Sequence, residues 1–198
     1  MKARFWRFIL KIFGWRFDEG NNPDIHRCVI IMAPHTSVWD FVLGRISLWI
    51  LGVKSRILIK KEFFRFPLGP LLRHMGGVSI DRGNRHNNVV KQVVEKFKEN
   101  EKFTLVITPE GTRKYTKRWK RGFYDIAMGA NVPIVITYID YAKKQSGVGE
   151  SFIPTGNYDN DIIEIQNHYK NVSAKYPENF NMSRMYWDKA PHIDKKTS

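Results

Sequence analysis

Residues 28–51 read CVIIMAPHTSVWDFVLGRISLWIL: a short apolar run, a polar turn, then a longer apolar stretch of helical length. A brief run of Cys, Val, Ile, Met and Ala suits a strand buried on both faces, whereas the second stretch is too long for one. Strand, turn and helix in that order make half of a βαβ unit. Outward from it, β-branched runs fall at 56–60, 78–81, 103–108 and 132–140, and helical patterns at 88–100 and 122–130 lie between them. That alternation predicts an α/β fold with a mainly parallel or mixed central sheet flanked by helices on both faces. Beyond Asp140 the pattern weakens, and one helix over 161–175 is expected.

The chain has 198 residues, of which 42% are hydrophobic and 14% aromatic, so a disordered or collagen-like chain is excluded. One domain over 21–190 is expected, preceded by a separate helix within 1–20 and followed by a frayed polar tail over 191–198. The single cysteine, Cys28, excludes an intrachain disulfide and a cysteine-rich zinc cluster. His26, His74, His86, His168 and His192 show no metal-ligand spacing, so no metal site is expected. The absence of a G-x-S-x-G elbow argues against a serine hydrolase of the α/β type.

Charge is uneven. The formal net charge is +14, and Lys2, Arg4, Arg7, Lys11 and Arg16 stand in the first 17 residues with no acid. A second basic block holds Arg113, Lys114, Lys117, Arg118, Lys120 and Arg121. Such concentration implies an anionic partner: nucleic acid, an acidic membrane surface or a phosphorylated substrate. On a helical wheel Arg4, Arg7 and Lys11 share a narrow wedge, while Phe5, Phe8, Ile9, Leu10, Ile12 and Phe13 fan over the rest. This reads as an interfacial helix on an anionic membrane, the alternative being a helix docked on the protein's own core. No apolar stretch approaches the roughly 20 residues that span a bilayer, and no signal peptide is evident.

Ligands in open α/β sheets collect where strands end and loops turn toward helices, and three polar clusters fall there. In Pro34-His35-Thr36-Ser37-Val38-Trp39-Asp40, five helical positions would set His35 and Asp40 on different faces, so His35 must precede the helix. With Ser37 as N-cap and Asp40 at N3, an imidazole in the preceding loop folds back within reach of the carboxylate. A carboxylate that holds one ring nitrogen leaves the other free to take a proton from a hydroxyl. The same Ser37-x-x-Asp40 spacing is also a simple capping box. The second cluster, Gly76 to Arg82, puts a guanidinium at the end of a glycine-led strand, where it suits a phosphate or is merely a solvated residue. The third, Thr108-Pro109-Glu110-Gly111-Thr112-Arg113, fixes a tight turn ahead of the basic block.

Together, in this order and spacing, the clusters resemble the glycerophospholipid acyltransferase family typified by 1-acylglycerol-3-phosphate acyltransferase. The resemblance covers roughly residues 25–140. His35 to Asp40 resembles that family's H-x4-D block, Gly77 to Arg82 its G-x-x-x-x-R block, and Pro109 to Arg113 its P-E-G-T-R block. Val132-Pro133-Ile134 resembles a looser fourth block, and Lys60-Lys61-Glu62-Phe63 the segment that carries a phosphate-contacting lysine in family members. Pro34, Thr108 and Ile136 stand where many members have Asn, Phe and Pro.

The resemblance implies an O-acyltransferase with no cofactor, acting peripherally at the cytoplasmic side of a membrane. His35 is then the general base and Asp40 its orienting acid. Lys60 and Arg82 hold the acceptor's phosphate, while Glu110, Gly111 and Thr112 shape the pocket around its glycerol portion. Arg113 and the cations after it face the donor's phosphates or the membrane. The implied partners are a lysophosphatidate-like acceptor and an acyl-CoA or acyl carrier protein donor. Glycerol 3-phosphate and a lyso-ornithine lipid are alternative acceptors. A basic protein that grips nucleic acid through Lys114 to Arg121, Tyr115 and Trp119 is the competing class, but no RRM, KH or helix-turn-helix signature accompanies the patch, and no nucleic acid is expected.

Overall fold

The computed structural model describes residues 2–20, 25–65, 69–70, 73, 76–80 and 89–182, without the side chains of Ile59, Lys60, Phe63 and Ile80. Seven strands form one sheet: β1 (Arg16–Asp18), β2 (Arg27–Ala33), β3 (Ser55–Lys60), β4 (Gly77–Ile80), β5 (Phe103–Ile107), β6 (Ile134–Asp140) and β7 (Gln145–Phe152). Their order is β1-β7-β6-β2-β5-β3-β4. All neighbours run parallel except β6 and β7, which are antiparallel. The sheet is therefore mixed and mainly parallel, as the alternation predicts.

The α-helices bounded within the described residues are α1 (Lys2–Ile12), α2 (Val38–Ile50), α3 (Val89–Glu99), α4 (Gly122–Ala130) and α5 (Tyr158–Asn167). The apolar run of β2 is buried throughout because it lies between β5 and β6 with helices above and below. Val29, Ile31 and Ala33 join α3, α4 and α5 in the larger core cluster. Cys28, Ile30 and Met32 point the other way, toward α2, and Leu10 of α1 joins that side. The single cysteine is thus a core residue.

Two strands escape the sequence reading. β1 has three residues, and β7 is Gln-Ser-Gly-Val-Gly-Glu-Ser-Phe, polar and glycine-bearing, with no β-branched run. Gly147 is required there, since a Cβ would stand 2.8 Å from the Tyr138 ring on the paired strand. The helix expected over 161–175 starts earlier and stops at Asn167, because the chain then turns so that the Tyr141 N–H can donate to Ser173 O at 2.9 Å. Asp81, Asn88 and the tail over 191–198 lie outside the described residues.

α1 docks on the protein's own core by one face and leaves its other apolar residues exposed. Leu10 is buried and Trp6 stacks on Trp49 of α2 at 4.3 Å between ring centres, whereas Phe5, Phe8, Ile12 and Phe13 stay exposed. Arg7 pairs with Glu19. The outward face of α2 is also apolar: Val38, Trp39, Phe41, Val42 and Trp49 are exposed. No helix among the described residues is long and apolar enough to cross a membrane.

Candidate active site

β2 ends at Ala33, and the turn after it delivers His35 to the carboxyl edge of the sheet. Ser37 is the N-cap of α2: its side chain accepts from Trp39 N at 3.2 Å, and Asp40 at N3 completes the capping box. A cap of this kind contributes about 1 kcal/mol. The carboxylate does more than close the box. Asp40 Oδ2 accepts the backbone N–H groups of Thr36 and Ser37, each at 2.7 Å, and faces His35 Nδ1 at 3.5 Å. Its other oxygen, Oδ1, accepts the Tyr141 hydroxyl at 2.7 Å. The capping box and the acid–imidazole pair are therefore one structure.

Asp40 is wholly buried. Burial pushes its carboxyl up, but the nearby His35 imidazole and the bonds from Tyr141, Ser37 and Thr36 outweigh that and hold it below the ordinary value. It is an anion at neutral pH. Glu110, from the turn after β5, lies on the other side of His35. Its Oε1 accepts the His35 backbone N–H at 2.9 Å, while Oε2 has no hydrogen-bond partner among the described residues. Burial prevails here, and the Glu110 carboxyl is pushed up to about 7.

His35 sits at a cavity of about 540 Å³ formed where β2, β3 and β5 end beneath α2, α3 and α4. Met32, Phe41, Leu48, Ile57, Val106 and Phe123 give it a largely apolar wall, within the usual size range of small-molecule sites. Its cations are Arg45 and Lys120, among the described residues. Arg45 donates to Ser55 Oγ at 2.8 Å and lies over the Trp49 ring. Lys120 is folded back by the bond from its N–H to Pro109 O at 2.8 Å, so its side chain crosses Gly111. A Cβ on Gly111 would meet that side chain at 2.7 Å, and its φ of +65° favours glycine independently.

Of the residues expected at the site, His35, Asp40 and Glu110 come together, and Gly111 lines the cavity with His35. Thr112 and Arg113 are exposed and are not among its described lining residues, and Thr112 Oγ1 accepts from Lys114 N at 3.2 Å. Lys60 ends β3, but its side chain lies outside the described set, as does Arg82 entirely. Sequence reasoning passed over Tyr141, Arg45 and the inward turn of Lys120. Of the basic block, Arg121 is committed to Asp125 at 2.7 Å.

A buried carboxylate behind an imidazole, opening on an apolar cavity at the carboxyl edge of a mixed α/β sheet, can take a proton from a hydroxyl beside an apolar ligand. The sequence model of the Acyltransferase family matches residues 18–140, and the chain belongs to that family. Its fold is shared with the crystal structure of the 1-acyl-sn-glycerophosphate (LPA) acyltransferase PlsC from Thermotoga maritima, at a TM-score of 0.55 and 17% identity over 87% of this chain and 80% of that one. No curated protein matches the sequence.

Proposed function

We propose that the chain moves a fatty acyl group from a thioester donor, acyl-CoA or acyl carrier protein, to a hydroxyl of a lysophosphatidate-like acceptor at a membrane surface. Asp40 holds His35 with a proton on Nδ1, leaving Nε2 as the base. Nε2 takes the proton of the acceptor hydroxyl as its oxygen attacks the thioester carbonyl. The tetrahedral intermediate then collapses with loss of the thiolate, which recovers the proton from the imidazolium. No acyl-enzyme forms, and no cofactor is used.

The observation that carries this reading is the Asp40–His35 pair at 3.5 Å, at the mouth of a largely apolar cavity that suits an acyl chain. Such contacts tighten when substrate binds. Lys60 and Arg82 are assigned to the acceptor phosphate. Glu110 holds the His35 main chain from below, and Gly111 leaves room beside the acceptor's glycerol portion. Thr112 and Arg113 meet the acceptor or the donor's phosphates outside the cavity. The exposed apolar faces of α1 and α2, with Lys2, Arg4 and Lys11 beside them, support peripheral binding to anionic lipid.

A decisive assay offers labelled acyl-CoA and acyl carrier protein with a panel of acceptors: lysophosphatidate, glycerol 3-phosphate and a lyso-ornithine lipid. Product is identified by mass spectrometry. His35→Ala is expected to lower kcat/KM by about 10² to 10⁴ while sedimentation with anionic liposomes persists. Transfer that survives the substitution would remove His35 from the mechanism, and liposome or nucleic-acid binding with no transfer to any acceptor would favour a binding protein.

A further inference from the structure

Tyr141 follows β6 and stands just beyond the stretch matched by the family model, which ends at residue 140. Its hydroxyl nevertheless reaches Asp40 Oδ1 at 2.7 Å, the oxygen not engaged by the turn's own N–H groups. The ring is held from several directions. Trp15 meets it edge-on at 5.0 Å, the Lys175 ammonium lies 5.9 Å from its centre, and its backbone N–H donates to Ser173 O at 2.9 Å. The same distal segment grips the catalytic turn directly. Tyr176 N donates to Thr36 Oγ1 at 3.2 Å, and Lys175 also lies 5.5 Å from the Trp39 ring.

We propose that Tyr141 is a positioning residue for acyl transfer: it pins Asp40 so that the carboxylate presents Oδ2 to His35, and residues 173–176 brace Tyr141 and the turn as one unit. This rests on the His35–Asp40 mechanism. A carboxylate fixed only through Oδ2 can rotate about its terminal torsion, which has a broad minimum. A donor on Oδ1 removes that freedom. Burial, and then the bond to Asp40, pushes the Tyr141 hydroxyl well up, so it stays protonated and keeps donating. The titratable and charged groups around the pair are His35 and Glu110 on the Asp40 side, and Lys175 and Tyr176 on the Tyr141 side.

Tyr141→Phe keeps the ring and its packing and deletes the donor. The expected result is a fall in kcat of about tenfold, the scale of one hydrogen bond to a charged group. KM for donor and acceptor stays within about twofold because the hydroxyl touches neither substrate. The acidic limb of kcat/KM moves to higher pH, since a carboxylate that loses a donor holds its proton more tightly. Wild-type kcat together with an unmoved acidic limb overturns the proposal, as does a loss that tracks only the folded fraction measured by circular dichroism. If Tyr141→Phe does not fold, Lys175→Met is read in the same way: lower kcat with unchanged KM supports the brace, and unchanged kcat refutes it. His35→Ala run alongside separates two failures. An inert Tyr141→Phe with an inactive His35→Ala sinks this inference alone, whereas an active His35→Ala sinks the mechanism beneath it.

Discussion

Two buried carboxyl groups flank His35, and the protein treats them in opposite ways. Asp40 is 0% exposed and accepts from two backbone N–H groups and a tyrosine hydroxyl, with the His35 imidazole 3.5 Å away. Glu110 is 2% exposed, accepts the His35 backbone N–H with one oxygen and has no partner for the other among the described residues. Both carboxyls are closed to solvent, yet Asp40, less deeply enclosed and richer in donors, is held low, while Glu110, more deeply enclosed and poorer in donors, is pushed up to about 7. Depth of enclosure and the supply of donors decide the charge together. Environments that push neighbouring titratable groups apart are how one site divides its roles. In the proposed mechanism Asp40 is the anion that orients the base, while Glu110 holds the His35 main chain.

The largest effect expected from disturbing this contrast follows Asp40→Asn. Its amide cannot accept from all the donors aimed at Oδ1 and Oδ2 and turns an N–H toward some of them. We expect a loss of about 10² to 10³ in kcat, from tautomer and orientation together, and of about 2–4 kcal/mol in stability by denaturant unfolding, since donors are left unpaired. Wild-type stability should also decline as pH falls through the lowered Asp40 pKa, below the ordinary 3.8, a loss the variant lacks.

Glu110→Gln probes the other loop and carries the opposite sign. A carboxyl raised on folding from 4.5 to about 7 binds its proton more tightly in the native state. Wild-type stability should fall by about 3 kcal/mol between those pH values and then level off. Gln keeps an acceptor for the His35 N–H and has no charge to bury, so its stability should stay flat over that window. A parallel slope in both proteins would show that Glu110 does not titrate as its surroundings dictate. The smallest effect leaves both carboxyls alone: Val38→Glu with Val42→Glu, on the outward face of α2, should weaken sedimentation with anionic liposomes about fivefold. Unchanged sedimentation would remove α2 from the membrane face.

The sequence discloses what is local. The strand at 28–33, the N-cap at Ser37 and Asp40 at N3 are legible because each is fixed by neighbours within a turn or by an unbroken apolar run. The reach of His35 back to Asp40 follows from the same cap. Tyr141 was illegible because 101 residues separate it from Asp40, and only the pairing of β2 with β6 brings Ala33 beside Tyr138, near the end of β6 that leads to it. β7 was illegible because its stability comes from pairing with β6 and from Gly147 under Tyr138, neither of which leaves an alternating pattern. Glu110 was read as facing the acceptor, yet its described bond is to the His35 backbone, a contact set by the adjacency of β2 and β5. The six-cation block reads as one patch, but the Pro109–Lys120 bond and the Asp125 ion pair give its members different partners.

The proposed mechanism requires Asp40 to keep the His35 proton on Nδ1 and leave Nε2 free. Nitrogen chemical shifts of ¹⁵N-labelled histidine, assigned to His35 by comparison with His35→Ala and recorded at a pH where the ring is neutral, test it directly. The expected result is the Nδ1–H tautomer in the wild type and a shift toward Nε2–H or a mixture in Asp40→Asn. An Nε2–H tautomer in the wild type, or the same tautomer in both proteins, would contradict it.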